Sequence, residues 1–272
     1  MSRFRHQLLW GSLWLVLMSG LALRLHSQFR QTLPNYNFVT GWTFLAVMVL
    51  LALYNGRKKL PFLPLGKSET WLQIHIYAGF FTVILFLIHL NFRLPRAWFG
   101  NSLALLYLLV TGSGIAGLIL SRVVPRRLST RGGEVIYEKI PALRYGLQQQ
   151  AEALAVGPEA KSPALADFYV RKLAVFFTGR QNFWLHLLES RRPVSALLTE
   201  LDDLKRYLDD KERPALERLA QLVRQKDGLD YHDALQTSLK LWLFVHLPLT
   251  YSLMIFSVLH VALVFAFSGG AR

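Results

Sequence analysis

The sequence predicts an all-α membrane protein, with five transmembrane helices and a mainly helical insertion between the fourth and fifth. Three observations carry this. First, 53% of the 272 residues are apolar and the mean hydropathy is +0.29, above what an ordinary soluble domain of this length carries. Second, five apolar runs have the length and composition of membrane spans, each needing about 20 residues to cross the hydrocarbon layer. Third, leucines outside those runs recur at helical spacing. The expected organisation is 1–121 with helices one to four, 122–238 as the insertion, and 239–272 with helix five.

Taken in order, the first run is 8–25, with Arg3 and Arg5 ahead of it. A secretory signal has the same outline. No small-x-small cleavage pattern follows at the usual distance, so the run is read as a retained helix. The second run, 39–54, is the shortest. The third, 71–90, contains His75 and His89, and the fourth, 102–120, is interrupted by Gly112, Gly114 and Gly117. The fifth, 241–267, contains His246 and His260.

The insertion opens with 123–125 and 135–137 around Arg131-Gly132-Gly133, which suits a small hairpin. Beyond it, Leu197, Leu201, Leu204 and Leu208 recur at helical spacing, as do Leu216, Leu219 and Val223. Arg213-Pro214 suits a helix start, and 157–163 a loop. A bundle of three to five elements is expected. His186 and His232 lack any acidic or histidine constellation at ligand spacing and are read as packing or surface residues. The insertion is a docking surface in this reading.

Basic residues orient the helices. Arg3, Arg5, Arg57, Lys58, Lys59, Lys67, Arg122, Arg126, Arg127 and Arg131 lie on one side, whereas Arg24, Arg30, Arg93, Arg96 and Arg272 lie on the other. The positive-inside rule then places the N-terminus and the insertion in the cytoplasm, the C-terminus outside, and the chain in the cell's inner membrane. This topology also accounts for the net charge of +14 through membrane lipid headgroups, and no nucleic-acid motif accompanies it.

The chain has no cysteine, which excludes disulfides, thiolate metal sites, iron–sulfur clusters held by this chain and covalently attached c-type haem. It also has no glycine-rich dinucleotide fingerprint and no phosphate loop. Flavin or nicotinamide chemistry would belong to a partner. Any redox centre held here hangs on histidine.

His75 and His89 are fourteen residues apart, and so are His246 and His260. Fourteen residues of helix advance about 21 Å and return to within about 40° of the starting direction. Each helix therefore presents two imidazoles on nearly one face. Helices three and five run in the same direction, so His75 pairs with His246 and His89 with His260. A lone membrane histidine is accounted for by a hydrogen bond across a helix interface. Four of them in two equal pairs call for partners of another kind, and bis-imidazole ligation of two b-type haems supplies them in a four-helix diheme core. Zinc or copper on two histidines alone would leave coordination positions unfilled.

Other residues on these faces suit a flat macrocycle. Gly79 lies one turn beyond His75, and Gly100 and Gly114 repeat the fourteen-residue interval. Helix packing explains such glycines equally well. Thr82 and Ser257 are candidates for bonds to backbone or imidazole. Arg93 and Lys240 are candidates to pair with haem propionates, or else topology charges that snorkel to headgroups.

With these residues in hand, the chain resembles the diheme core of the cytochrome b subunits of quinol:cytochrome c oxidoreductases, and is similar to the transmembrane domain of ferric reductases and NADPH oxidases. The likeness lies in the paired His-x13-His helices and their topology, over helices two to five. It implies that the four histidines are axial ligands, that two non-covalent haems lie toward opposite faces, and that electrons cross between them. The quinol-site signature of the first family and the flavin domain of the second are not found, and the long insertion belongs to neither.

The runs contain no Asp or Glu, which argues against a proton pump. Glu69 and His26, near the two surfaces, are conceivable proton acceptors for quinone chemistry, with interfacial polar residues as the plainer reading. The expectation is an electron-transfer subunit of an oxidoreductase complex. It would act between a quinone pool, with quinone itself a further cofactor, and a multihaem cytochrome, iron–sulfur protein or flavoprotein. A reductase core fed by a cytoplasmic flavoprotein and a haem-free membrane anchor are the alternatives.

Overall fold

The computed structural model describes residues 3–33, 35–59, 67–129, 135–157 and 162–268, with side chains described from residue 9 and not at 55–59 or 268. Arg131, Gly132, Gly133 and Arg272 lie outside the described residues, as do the side chains of Arg3, Arg5, Arg57, Lys58 and Lys59. The molecule is all-α: it is 86% helical and has no strand among the described residues. Five helices are long and apolar enough to cross a membrane, the property of a multi-pass membrane protein. They are α1 (Arg3–Phe29), α2 (Tyr36–Lys59), α3 (Ser68–His89), α4 (Trp98–Leu128) and α10 (Arg213–Ser268).

Two compact units divide the chain. One is Met1–Leu118 with Leu243–Arg272, the other Ile119–Trp242, and both α4 and α10 contribute to each. In the first unit α3 packs against α1 and α2. A Cβ on Gly11 would lie 2.2 Å from the Tyr77 ring, so α1 approaches α3 there only because residue 11 has no side chain. The core forms where four helices meet, from Phe44 and Met48 of α2, Leu85 and Phe86 of α3, Ala104 and Tyr107 of α4, and Leu253 of α10. The outward faces of the long helices are apolar too, including Trp14 and Val16 of α1, Leu108 of α4 and Ile255 of α10, as lipid requires. Pro248 sits inside α10 and lacks the N–H that would meet the Phe244 carbonyl.

The second unit is a small helical bundle. It contains α5 (Ile140–Val156), α6 (Pro163–Phe168), a π turn (Tyr169–Leu173), α7 (Ala174–Phe177), α8 (Phe183–Leu187), α9 (Arg192–Asp203) and the start of α10. Leu201, Leu216, Leu219 and Val223 all reach its core. Three expectations change. Residues 123–125 are helical rather than one arm of a hairpin, because α4 continues through Pro125 to Leu128. The leucine repeat from 197 does not stay in one helix: α9 stops at Asp203, a 3-10 turn covers Leu204–Tyr207, and Leu208 is extended yet still buried. The helix begun at Arg213 does not end within the bundle but runs unbroken to Ser268.

An ion network holds α5 and the 178–182 turn to α10. Arg144 reaches Asp230 at 2.9 Å and Asp233 at 3.0 Å, Arg180 reaches Asp233 at 2.7 Å, and the Gln181 N–H donates to Asp230 at 3.2 Å. Lys226 is fully buried, bonds Asp230 one turn on and lies over the Phe176 ring. Burial holds its ammonium below the usual lysine value, against the opposing pull of Asp230.

Candidate cofactor site: two histidine-faced cavities

Two cavities lie within the first unit. One, of about 340 Å³, is faced by His89 of α3 and His260 of α10. The other, of about 140 Å³, is faced by His75 and His246 of the same two helices. The His89 and His260 ring centroids are 6.4 Å apart with their planes at 89°. Each cavity thus has one imidazole from α3 and one from α10 in its lining.

Two of the rings have a hydroxyl at Nδ1. Ser113 donates its hydroxyl hydrogen to the Val110 carbonyl at 2.8 Å, so its oxygen accepts from His246 Nδ1–H at 2.7 Å. That arrangement suits the tautomer with its proton on Nδ1 and its lone pair on Nε2. Thr40 has the same logic at His89: it donates to the Asn37 carbonyl at 3.1 Å and its oxygen lies 3.4 Å from Nδ1, a longer contact. Tyr54 packs on the His75 ring at 5.0 Å, and Phe99 stacks against His260 at 6.2 Å. Gly41 also fixes a ring, because a Cβ there would stand 3.0 Å from His89 Cε1.

Met48, Tyr107 and Leu253 line both cavities and so form the partition between them. Thr82 and Leu253 are the midpoints of the two histidine pairs, seven residues from each imidazole. Seven residues rise about 10.5 Å and nearly complete two turns, which keeps the midpoint on the histidine face. Tyr107 donates its hydroxyl to Thr82 at 3.0 Å, and Thr82 donates to the Gly79 carbonyl at 2.7 Å. The Tyr107 ring stacks on Phe86 at 4.2 Å. The partition is thus aromatic, apolar and tied in place by one short hydrogen-bond chain.

The remaining expected residues fall in several places. Gly79 and Gly114 line the His75/His246 cavity; a Cβ on Gly79 would meet open space, and one on Gly114 would lie 3.8 Å from the His246 ring. Gly100 and Ser257 line the other cavity, while Gly112 lines neither. Thr82 bonds backbone and Tyr107 rather than an imidazole. Arg93 is exposed and outside both linings. Lys240 belongs to the second unit, where it pairs with Glu138 at 3.2 Å and covers the Tyr137 ring. His26 is buried against Tyr36, whose hydroxyl lies 3.1 Å from Nδ1, and Glu69 is exposed in the first turn of α3. His186 and His232 are both buried, and His186 has the acidic neighbour that spacing did not show, Asp227 at 3.7 Å.

Among the described residues no three His, Cys, Asp or Glu side chains converge on one point. Each cavity therefore offers two imidazoles and apolar walls. Sequence reasoning missed Thr40, Gly41, Ser113, Tyr107 and Met48. No local spacing could have found them, because each acts on a residue of a different helix. No protein family, curated protein or solved structure matches this chain.

Proposed function

We propose that the chain is a membrane diheme b-type cytochrome subunit of an oxidoreductase complex, acting between a quinone pool and a redox partner protein. One observation carries the reading: α3 and α10 each bring a histidine to both of two stacked cavities, with the same fourteen-residue interval. His75 with His246 would hold one haem and His89 with His260 the other, as in the diheme cytochrome b core that the sequence resembles. When bound, each haem supplies an iron centre that exchanges one electron without acid–base chemistry at the metal.

The chain's own residues do the rest. Ser113 would orient the His246 ring through its Nδ1 contact. Phe44, Phe86, Leu103 and Val264 exclude water from the larger cavity. With no carboxylate inside the spans, protons of quinone chemistry are handled at a membrane surface. The distribution of basic residues supports a cytoplasmic N-terminus. Docking of a multihaem cytochrome, an iron–sulfur protein or a flavoprotein completes the pathway.

The test is optical. Protein purified in mild detergent is expected to show a reducible b-type α-band and two extractable haems per chain; no reducible band overturns the reading. Reduction by a quinol analogue, compared with reduction by a flavoprotein and nicotinamide, then identifies the donor. Ser113→Ala is expected to weaken haem retention at the His75/His246 site by about 10–100-fold, the usual cost of removing a partner of a ligating histidine. Haem transfer to apomyoglobin measures it, and an unchanged rate would contradict the role given to Ser113.

A further inference from the structure

The helix α8 is a single turn of unusual composition. Its inward side packs into the bundle: His186 is buried against Tyr231, and Leu187 joins the cluster of Val124, Tyr231 and Leu235. Its outward side is equally apolar. Trp184 is 74% exposed and Leu188 76%, and Leu185 stands beside them on the same helical face. Two of the largest apolar side chains of the second unit thus project from a turn already anchored by its opposite face. Arg191 and Arg192 follow at once, both exposed.

The ties of α8 run to the end of α4. Arg127 donates to the Leu187 carbonyl at 2.9 Å and pairs with Glu189 at 3.0 Å, which caps α8 and ties it to the end of α4. Arg127 is only seven residues past the apolar run 102–120. That is about 10 Å of helix beyond the hydrocarbon, a few ångströms past the roughly 5–8 Å of headgroups on each side and within reach of long side chains. Tryptophan and leucine with arginine beside them are the composition of a segment lying in that layer. Arg122 and Arg126, exposed on the same end of α4, extend the positive charge.

We propose that α8 is a membrane-surface anchor: Trp184, Leu185 and Leu188 enter the interfacial layer of an anionic phospholipid leaflet, with Arg191 and Arg192 at the phosphates. The anchor is independent of any cofactor. It would fix the second unit against the leaflet and reserve other faces of the bundle for a protein partner.

The absence of cysteine allows a direct test on the full chain. Leu188→Cys and Tyr207→Cys are made separately, since both positions are 76% exposed and neither helps hold the core. Each is spin-labelled in nanodiscs of phosphatidylcholine and phosphatidylglycerol. The label at 188 is expected to be accessible to oxygen and shielded from a water-soluble nickel chelate. The label at 207 should show the reverse. Equal chelate accessibility at both sites overturns the anchor, as does shielding at 188 that arises only when a partner protein is added. Trp184→Cys provides a second position on the same face and must report as 188 does.

Discussion

His89→Ala is expected to remove one haem and leave the other, taking the extractable stoichiometry from two to one per chain. His89 and His260 face one cavity, and the partition of Met48, Tyr107 and Leu253 separates it from the cavity of His75 and His246. Loss of one imidazole takes half the protein ligation from a single site and changes nothing in the lining of the second. Alanine also opens space where the His89 ring packs against Phe44 at 6.2 Å and stands over Gly41, so the emptied site has no compensating contact. His75→Ala should remove the other haem by the same reasoning. Pyridine haemochrome stoichiometry checks both, with far-UV circular dichroism to show that the helices persist. Loss of both haems from either variant, or of neither, contradicts the pairing of α3 with α10.

The five spans and the direction of pairing were legible because lipid imposes one-dimensional signals: a run of apolar residues and a repeat of fourteen. Each histidine pair lies on a single helix, so its spacing survives in the sequence. What supports those rings does not. Ser113 and His246 are 133 residues apart, and Thr40 and His89 are 49 apart, with no periodicity that links them. Lys240 reads as a cation six residues before His246, yet its charge is used by Glu138 and Tyr137, 102 and 103 residues earlier. Continuity misled as well. A leucine repeat at the right spacing crosses the end of α9 because Leu208 reaches the same core from an extended segment, which periodicity alone cannot distinguish from another helical turn.

The second unit depends on charges that carry no such periodic mark, and Asp233→Ala is expected to be its most damaging single change. Asp233 accepts from Arg180 at 2.7 Å, from Arg144 at 3.0 Å and from Thr237 at 3.2 Å, with its carboxylate almost fully buried. Alanine leaves Arg144, itself mostly buried, with Asp230 as its remaining carboxylate, which Lys226 also claims. Breaking a buried pair by removing one partner costs about 3–5 kcal/mol; the exposed part of Arg180 favours the lower end. Opening of the bundle should then be roughly a hundredfold more frequent, since each 1.36 kcal/mol is a factor of ten. Hydrogen exchange on the full chain in detergent should show that loss in α5 and in 178–187, with α1 to α3 unchanged; unaltered protection would mean that the network contributes little. Acid should act in the same direction. Burial alone would raise the Asp233 carboxyl, but Arg180 and Arg144 more than offset it and hold the group below the ordinary aspartate value. A folded-state value below the unfolded one stabilises the fold above about pH 3.9, and that stabilisation is lost as pH falls through the folded value. Thermal melting between neutral pH and pH 3 should therefore fall more steeply for the natural chain than for Asp233→Asn, which has no proton to bind at that position.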